Sequence, residues 1–124
     1  MRILSVDDSK ATRQFIKRAI DVLGFEFLEA ADGKEGLELL NKEKGNIDLI
    51  LLDWRMPVMD GMEMLEVLKS SDLFKDIPVT FVSTEVEQEK VSEAVTKGAK
   101  NYLIKPFTQE DLIGKIMDSL DMNP

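Results

Sequence analysis

Residues 47–61 read IDLILLDWRMPVMDG, and this stretch decides the fold. Its mostly apolar first part, 47–52, is followed by Asp53, and the chain then runs through Pro57 to Asp60-Gly61. A short apolar run is typical of a strand that is buried on both faces of a parallel sheet. Functional side chains gather just past the carboxyl ends of such strands. We therefore predict that Asp53 stands at a functional edge of a sheet, in a loop stiffened by Pro57.

Apolar runs alternate with helical patterns five times along the chain. The runs predict strands at 2–6, 25–29, 47–52, 78–82 and 100–104, and the patterns between and after them predict helices at 9–22, 33–42, 61–70, 86–97 and 108–120. This alternation, with short links, predicts an α/β fold: a doubly wound, five-stranded parallel sheet with helices on both faces.

Residues that cap helices stand at the predicted helix ends. Ser9 or Asp8 is expected to cap the first helix, and Gly24 fits just past its end. The pairs at 32–33 and 60–61, Asp-Gly in both cases, open the second and third helices, Gly98 ends the fourth, and Thr108 with Asp111 forms a capping-box pattern at the fifth. Gly36 and Gly114 fall inside helices at a cost of about 1 kcal/mol each, which we interpret as close packing.

Composition narrows the function classes. With 124 residues, 44% of them hydrophobic, the chain has enough apolar surface for one core. A net charge of −8 disfavours nucleic-acid and membrane-surface binding. The chain has no cysteine and no histidine, which excludes disulfides, a histidine-based triad and a phosphohistidine on this chain. No signal peptide or membrane span is evident, so we expect a soluble, cytoplasmic protein.

Charged side chains close several predicted strands. Asp7-Asp8 follow the first, Asp53 the third and Lys105-Pro106 the last. Because the carboxyl ends of parallel strands meet at one edge of the sheet, three acids and one base should converge there. Acids grouped this closely repel one another unless a cation lies among them, so a metal-dependent site is the first hypothesis.

Each of these signals also has an ordinary structural interpretation. Asp7-Asp8 can serve as a helix cap, and Ser83, which follows the fourth predicted strand, can be a turn serine. Lys105 carries a desolvation cost unless an anion meets it. The isomer of the Lys105–Pro106 bond stays open. An acid pair, an acid, a hydroxyl and a lysine at successive strand ends nevertheless favour a functional site.

The combined pattern resembles the receiver domains of two-component response regulators. Its markers are Asp7-Asp8, the segment LLDWRMPVMDG at 51–61, Ser83 and KPF at 105–107, in order along essentially the whole chain. The chain is most similar to the stand-alone chemotaxis (CheY-like) group. The similarity rests on the segment VDDS at 6–9, the basic helix after it, Trp54 and Tyr102. The resemblance implies a single receiver domain over 1–124, with a flavodoxin-like (βα)5 fold and strand order 2-1-3-4-5.

The resemblance also implies the chemistry of the site. Asp53 would accept a phosphoryl group from the phosphohistidine of a histidine kinase. Asp8, Asp53 and the backbone carbonyl of Arg55 would bind Mg²⁺, with Asp7 assisting through water. Mg²⁺ prefers oxygen ligands and keeps several waters, which suits this set.

Further positions follow from the same resemblance. Lys105 and Ser83 would each meet a phosphoryl oxygen. Ser83 and Tyr102 would form the switch, although Tyr102 taken alone is typical of a half-buried strand aromatic. The output surface would be the fourth helix, fifth strand and fifth helix, roughly 86–120.

Ser83 stands where threonine is common in the family but keeps the hydroxyl, and three further residues lie where they can influence the lifetime of the phosphoryl group. Thr84 stands where many relatives have a smaller residue, and Arg55 and Glu85 lie two residues after Asp53 and Ser83. We interpret these residues as modulators that slow autodephosphorylation, with Arg55 and Glu85 forming an ion pair over the site. The alternative is two solvated surface charges that contribute little.

The expected function is a phosphorylation-switched signalling module rather than an enzyme. Its partners would be a histidine kinase and a downstream target, with the flagellar motor switch and a phosphatase as further candidates. We expect no binding to nucleic acid or to membranes, and we expect the protein to be a monomer. Other readings are a receiver of another two-component pathway, excised or free-standing, a Mg²⁺-dependent aspartyl-phosphate phosphatase, a flavin-binding domain and a degenerate receiver.

Overall fold

A computed structural model of the chain describes residues 1–84 and 88–122. The strands are β1 (Arg2–Val6), β2 (Glu26–Ala30), β3 (Leu49–Leu52), β4 (Val79–Ser83) and β5 (Asn101–Ile104). The helices that follow them are α1 (Lys10–Val22), α2 (Gly33–Lys42), α3 (Gly61–Lys69), α4 (Gln88–Thr96) and α5 (Gln109–Ser119). Every predicted element is present in the predicted order.

The five strands form one parallel sheet in the order β2-β1-β3-β4-β5. Val6 at the end of β1 lies in register with Ala30 of β2 and with Leu52 of β3. This confirms the predicted fold class and strand order. It also brings the carboxyl ends of β1 and β3 side by side, where the direction of winding changes and α/β proteins bind their ligands.

Helices cover both faces of the sheet, as predicted. One core layer joins Leu4 and Val6 of β1 to buried residues of α2, α3 and α4, among them Leu40, Leu65 and Ala94. The other layer joins Ile3 of the same strand to α1 and α5 through Ile16, Ile20, Leu112 and Ile116. The alternation along β1 follows from the two-residue period of a strand, which sends successive side chains to opposite faces.

Most boundary differences are one residue and have a local cause. Ser9, and not Asp8, is the N-cap of α1, and Thr108 caps α5, so these helices begin one residue after the predicted start. The starts at Asp32 and Asp60 and the capping box of α5 are confirmed, and α3 has a capping box as well. Gly24 and Gly98 have positive φ, as suits glycines at helix ends. Among the strands, β2 and β4 each lie one residue later than predicted. β5 begins one residue later than predicted, and β3 begins two residues later. The predicted start of α4 lies outside the described residues.

Gly36 and Gly114, the two glycines predicted inside helices, differ in how closely other atoms approach them. A Cβ on Gly36 would lie 2.9 Å from Cε of Met64 and 3.2 Å from Cγ2 of Val6, so close packing explains this glycine. A Cβ on Gly114 would meet no atom of the described residues within 4 Å, so the same interpretation is wrong there.

Two further observations complete the description. The Lys105–Pro106 peptide bond is cis. None of the helices in the described part of the chain combines the length and the apolar character needed to cross a bilayer.

Ser5, in the middle of β1, has a fully buried hydroxyl that finds no hydrogen-bond partner among the residues that the structure describes. Because a buried unpaired hydroxyl costs about 1 to 3 kcal/mol, we expect Ser5→Ala to raise the free energy of unfolding by about 1 kcal/mol. Urea denaturation monitored by circular dichroism measures the change.

Ser119→Ala is the matched control, because this hydroxyl bonds both Oγ1 of Thr80 (2.6 Å) and the carbonyl of Lys115 (2.6 Å). Its removal leaves Thr80 unpaired and should destabilise the protein. If Ser5→Ala were as destabilising as the control, the Ser5 hydroxyl would have a partner after all.

Candidate functional site

Three carboxylates meet at the carboxyl edge of the sheet. Asp7, Asp8 and Asp53 each offer one oxygen, and these oxygens all lie within 4.8 Å of one another. The backbone holds them there, because the Asp53 amide donates to the carbonyl of Val6 at 2.9 Å. Asp7 and Asp53 are buried, with 2% and 7% of their surface exposed, whereas Asp8 is exposed. The convergence expected from the sequence is therefore present in the fold.

Lys105 brings the base into the same cluster. Its Nζ lies 2.8 Å from Oδ2 of Asp7 and 3.6 Å from Oδ1 of Asp53. Asp7 and Asp53 therefore supply the negative charge that offsets the desolvation cost of Lys105. The other Asp7 oxygen, Oδ1, accepts from the amide of Ser9 at 2.9 Å, so the ordinary helix-start interpretation is also correct for this one oxygen.

The electrostatics of the cluster favour a cation. Burial, together with the charges of Asp7 and Asp8, raises the pKa of Asp53 to about 7, against the opposing effects of Lys105 and the Trp54 amide. With all groups ionised, three carboxylates and one ammonium carry a net charge of −2. A divalent cation with a preference for carboxylate oxygens fits both this excess charge and the spacing of the oxygens, and Mg²⁺ is such an ion.

Gly61 is a structural requirement that the sequence analysis recognised only as a helix start. Its amide donates to the carbonyl of Trp54 at 2.7 Å. A Cβ at this position would lie 2.3 Å from the carbonyl oxygen of Asp53 and 2.9 Å from Cα of Trp54. Only a glycine therefore lets the start of α3 return so closely to the backbone that carries Asp53.

Ser83 and Tyr102 lie on the neighbouring strands. Ser83 ends β4, is 1% exposed and accepts at its carbonyl from the amide of Lys105 at 2.9 Å. The Tyr102 ring is half-buried and stacks on Phe81, with 5.8 Å between centroids and 27° between planes. The interpretation of Tyr102 as a half-buried strand aromatic is confirmed, and the switch role of both residues stays a prediction.

The proposed modulators lie at the rim. Arg55 and Thr84 are both exposed, the first in the loop after β3 and the second directly after β4. Glu85 lies outside the described residues, so its pairing with Arg55 stays a prediction, as does the Arg55 carbonyl as a metal ligand.

Comparisons with known proteins agree on one family. The family model of the response regulator receiver domain matches residues 3–117. The chain is 36% identical to a chemotaxis protein CheY homolog of Campylobacter jejuni, over 97% of this chain and 92% of that protein. It is similar to the solved structure of chemotaxis protein CheY4 of Vibrio cholerae, with a TM-score of 0.88 and 34% identity over 96% of this chain and 98% of the other. It is also similar to the CheX–CheY–BeF₃–Mg²⁺ complex of Borrelia burgdorferi, with a TM-score of 0.89 and 30% identity over 95% of this chain and 87% of the other.

The raised pKa of Asp53 predicts a pH-dependent effect of Asp53→Asn in metal-free buffer. In the unfolded chain this carboxyl ionises near its ordinary pKa of 3.8, but in the native state it holds its proton up to about 7. Between these values the native state binds more protons, so this group's contribution to the free energy of unfolding falls as pH rises. The stability of Asp53→Asn relative to wild type should therefore grow from about pH 4 to about pH 7 and level off above that, by a total of roughly 4 kcal/mol.

Denaturation at several pH values with a chelator present measures this difference. Asp72→Asn is the control, because the side chain of Asp72 is fully exposed, and its difference from wild type should stay flat. A flat profile for Asp53→Asn as well would show that the Asp53 carboxyl ionises normally.

Proposed function

The chain belongs to the response regulator receiver domain family, and from that premise we propose that it is a phosphorylation-switched signalling module of chemotaxis. The observation that carries the proposal is the buried Asp53 carboxylate, held between two further acids and Lys105 at the edge of the sheet. In this proposal the protein is a phosphoacceptor that assists its own phosphorylation and dephosphorylation, and it is not an enzyme with a separate substrate.

The proposed phosphorylation step is a displacement at phosphorus. A carboxylate oxygen of Asp53 attacks the phosphoryl group of a phosphohistidine on the partner kinase. The new bond joins this oxygen to phosphorus, and the bond from phosphorus to the imidazole nitrogen breaks, so that its electron pair stays on the leaving imidazole. Such transfers ask the protein mainly for positioning and charge stabilisation, which a cluster of fixed charges provides.

Asp8, Asp53 and the backbone carbonyl of Arg55 would hold Mg²⁺, with Asp7 assisting through water. When bound, the ion supplies neutralisation of the charge on the phosphoryl oxygens. The mutual spacing of the three carboxylates and their excess of negative charge support this set. The similar complex from Borrelia burgdorferi contains Mg²⁺ and BeF₃.

Lys105 and Ser83 would stabilise the phosphorylated state. Lys105 already lies 3.6 Å from Oδ1 of Asp53, so a phosphoryl group on this carboxylate would bring new oxygens within reach of its ammonium. The backbone bond between Lys105 and Ser83 holds the start of the β4–α4 connection beside the same point. A charge-assisted hydrogen bond from the Ser83 hydroxyl would then couple the phosphoryl group to α4.

The output surface in this proposal is formed by α4, β5 and α5. Tyr102 on β5 packs against Phe81, a residue of the same strand as Ser83, so a displacement at the end of β4 can reach β5. Phosphorylation can shift the equilibrium between the inactive and the active arrangement of this surface only by the difference in free energy that it makes between them. Binding of a downstream target should therefore be graded. The CheY relatives favour a chemotaxis target, with the flagellar motor switch as one candidate and a phosphatase as a further partner.

Trp54 supplies the test of this function. It is the single tryptophan of the chain, it is buried, and its amide donates to Oδ1 of Asp53 at 2.9 Å. We expect Mg²⁺ to change its fluorescence and beryllofluoride, a phosphoryl mimic, to extend the change. A purified histidine kinase with ATP should then give a phosphorylated species in intact-protein mass spectrometry.

Asp53→Asn is the control for both measurements. It should abolish the beryllofluoride response and the phosphorylated species, because the nucleophilic oxygen is replaced. If wild type and variant respond alike, or neither responds, the chain does not act as a phosphorylated receiver.

We propose further that Arg55, Thr84 and Glu85 slow autodephosphorylation. Arg55 and Thr84 are exposed at the rim, where their side chains would hinder the approach of the attacking water. The double variant Arg55→Asn with Thr84→Ala should therefore lose its phosphoryl group several-fold faster than wild type.

The decay of phosphorylated protein after removal of the kinase gives this rate. Lys44→Asn with Thr96→Ala likewise replaces a cation by asparagine and a threonine by alanine, at exposed positions away from the site, and should keep the wild-type rate. An unchanged phosphoryl lifetime in the rim variant would refute the assignment.

A further inference from the structure

Lys90 of α4 contacts the residue that follows the phosphoacceptor. Its Nζ lies 5.5 Å from the ring centroid of Trp54, which is within the range of a cation–π interaction. Within the part of the chain that the structure describes, no carboxylate oxygen lies within 4.0 Å of this ammonium. The sequence offered no sign of this contact, because nothing in the pattern of α4 marks Lys90.

Trp54 joins this contact to the acidic site. Its backbone amide donates to Oδ1 of Asp53 at 2.9 Å, the same oxygen that lies 3.6 Å from Lys105. One residue therefore touches the phosphoacceptor with its backbone and α4 with its ring. A change at the Asp53 carboxylate and a change in the position of α4 both act on Trp54.

The Trp54 ring is packed against aromatic rings of β4 and β5. It is 8% exposed and lies 5.3 Å from the ring of Phe81 and 6.5 Å from that of Tyr102. Lys90, in contrast, moves with α4, a helix that begins five residues after Ser83. A cation–π contact depends on the position of the cation over the ring, so a displacement of α4 weakens it.

We propose that Lys90 is a positioning residue, whose contact with Trp54 holds α4 in the unphosphorylated arrangement and thereby opposes occupation of the site. The inference rests on the proposed function, since it requires that a phosphoryl group or its mimic displaces α4. By linkage, a contact that exists mainly before occupation lowers the affinity for the ligand by the free energy of that contact.

The test is the affinity for beryllofluoride in the presence of saturating Mg²⁺, measured by isothermal titration calorimetry. Lys90→Met keeps a long apolar side chain but removes the charge, so it should raise the affinity about two- to fivefold, as expected for a partly exposed cation–π contact. Lys90→Arg keeps the charge over the ring and should restore an affinity close to that of wild type.

The predicted rise in the affinity of Lys90→Met for beryllofluoride is opposite to the change expected from simple electrostatics. Loss of a positive charge near the site would by itself weaken the binding of an anionic mimic, so lower affinity of Lys90→Met would overturn the proposal, as would unchanged affinity. In a Trp54→Phe background the effect of Lys90→Met should shrink, because phenylalanine is a weaker partner for a cation than tryptophan.

Failure of the inference can be told from failure of the proposed function. If wild type binds beryllofluoride and Lys90→Met binds it no better, α4 is not held through this contact and the receiver function stands. If wild type does not bind the mimic, the proposed function fails, and the role of Lys90 fails with it.

Discussion

The repulsion among three clustered carboxylates is the constraint on which the rest of this structure depends. Asp7, Asp8 and Asp53 bring an oxygen each within 4.8 Å of one another, and two of the three are buried. Burial and like charge both disfavour the ionised state, as the raised pKa of Asp53 records. A single ammonium, that of Lys105, offsets part of this cost. The site is therefore built with an excess of negative charge, which a divalent cation would offset.

The sheet keeps this unfavourable arrangement in place through rigid backbone contacts. Parallel pairing sets the ends of β1 and β3 side by side, and the amide of Asp53 is bonded to the carbonyl of Val6. Gly61 lets α3 start against the carbonyl of Asp53, where no larger residue fits. Most of the core residues around these strand ends are fully buried, so the packing free energy of the domain opposes any separation of the acids.

In the proposed function, the same rigidity would let a local charge change act at a distance. Asp53 and Lys105 lie at the ends of strands, while Trp54, Phe81 and Tyr102 form a connected aromatic group just beneath them. Two covered faces and a packed core leave few places for displacement, and α4 is attached to this group at its outer side through Lys90. Packed groups of this kind have discrete arrangements rather than continuous ones, which is what a two-state signal requires.

The sequence by itself determined the elements and the charged residues at the strand ends, because both depend on local pattern. The apolar runs, the caps at Ser9, Asp32 and Thr108, and the polar residues at the strand ends each follow from their immediate neighbours. Only the tertiary structure decided the contacts between distant residues. The pairing of Lys105 with Asp7 joins positions 98 apart, and the close approach at Gly61, the open space at Gly114 and the unpaired hydroxyl of Ser5 likewise depend on what other elements place there. The local pattern can place side chains at one edge of the sheet, but it does not specify which atoms pair there or what space surrounds them, so these features become visible only when the elements are packed together.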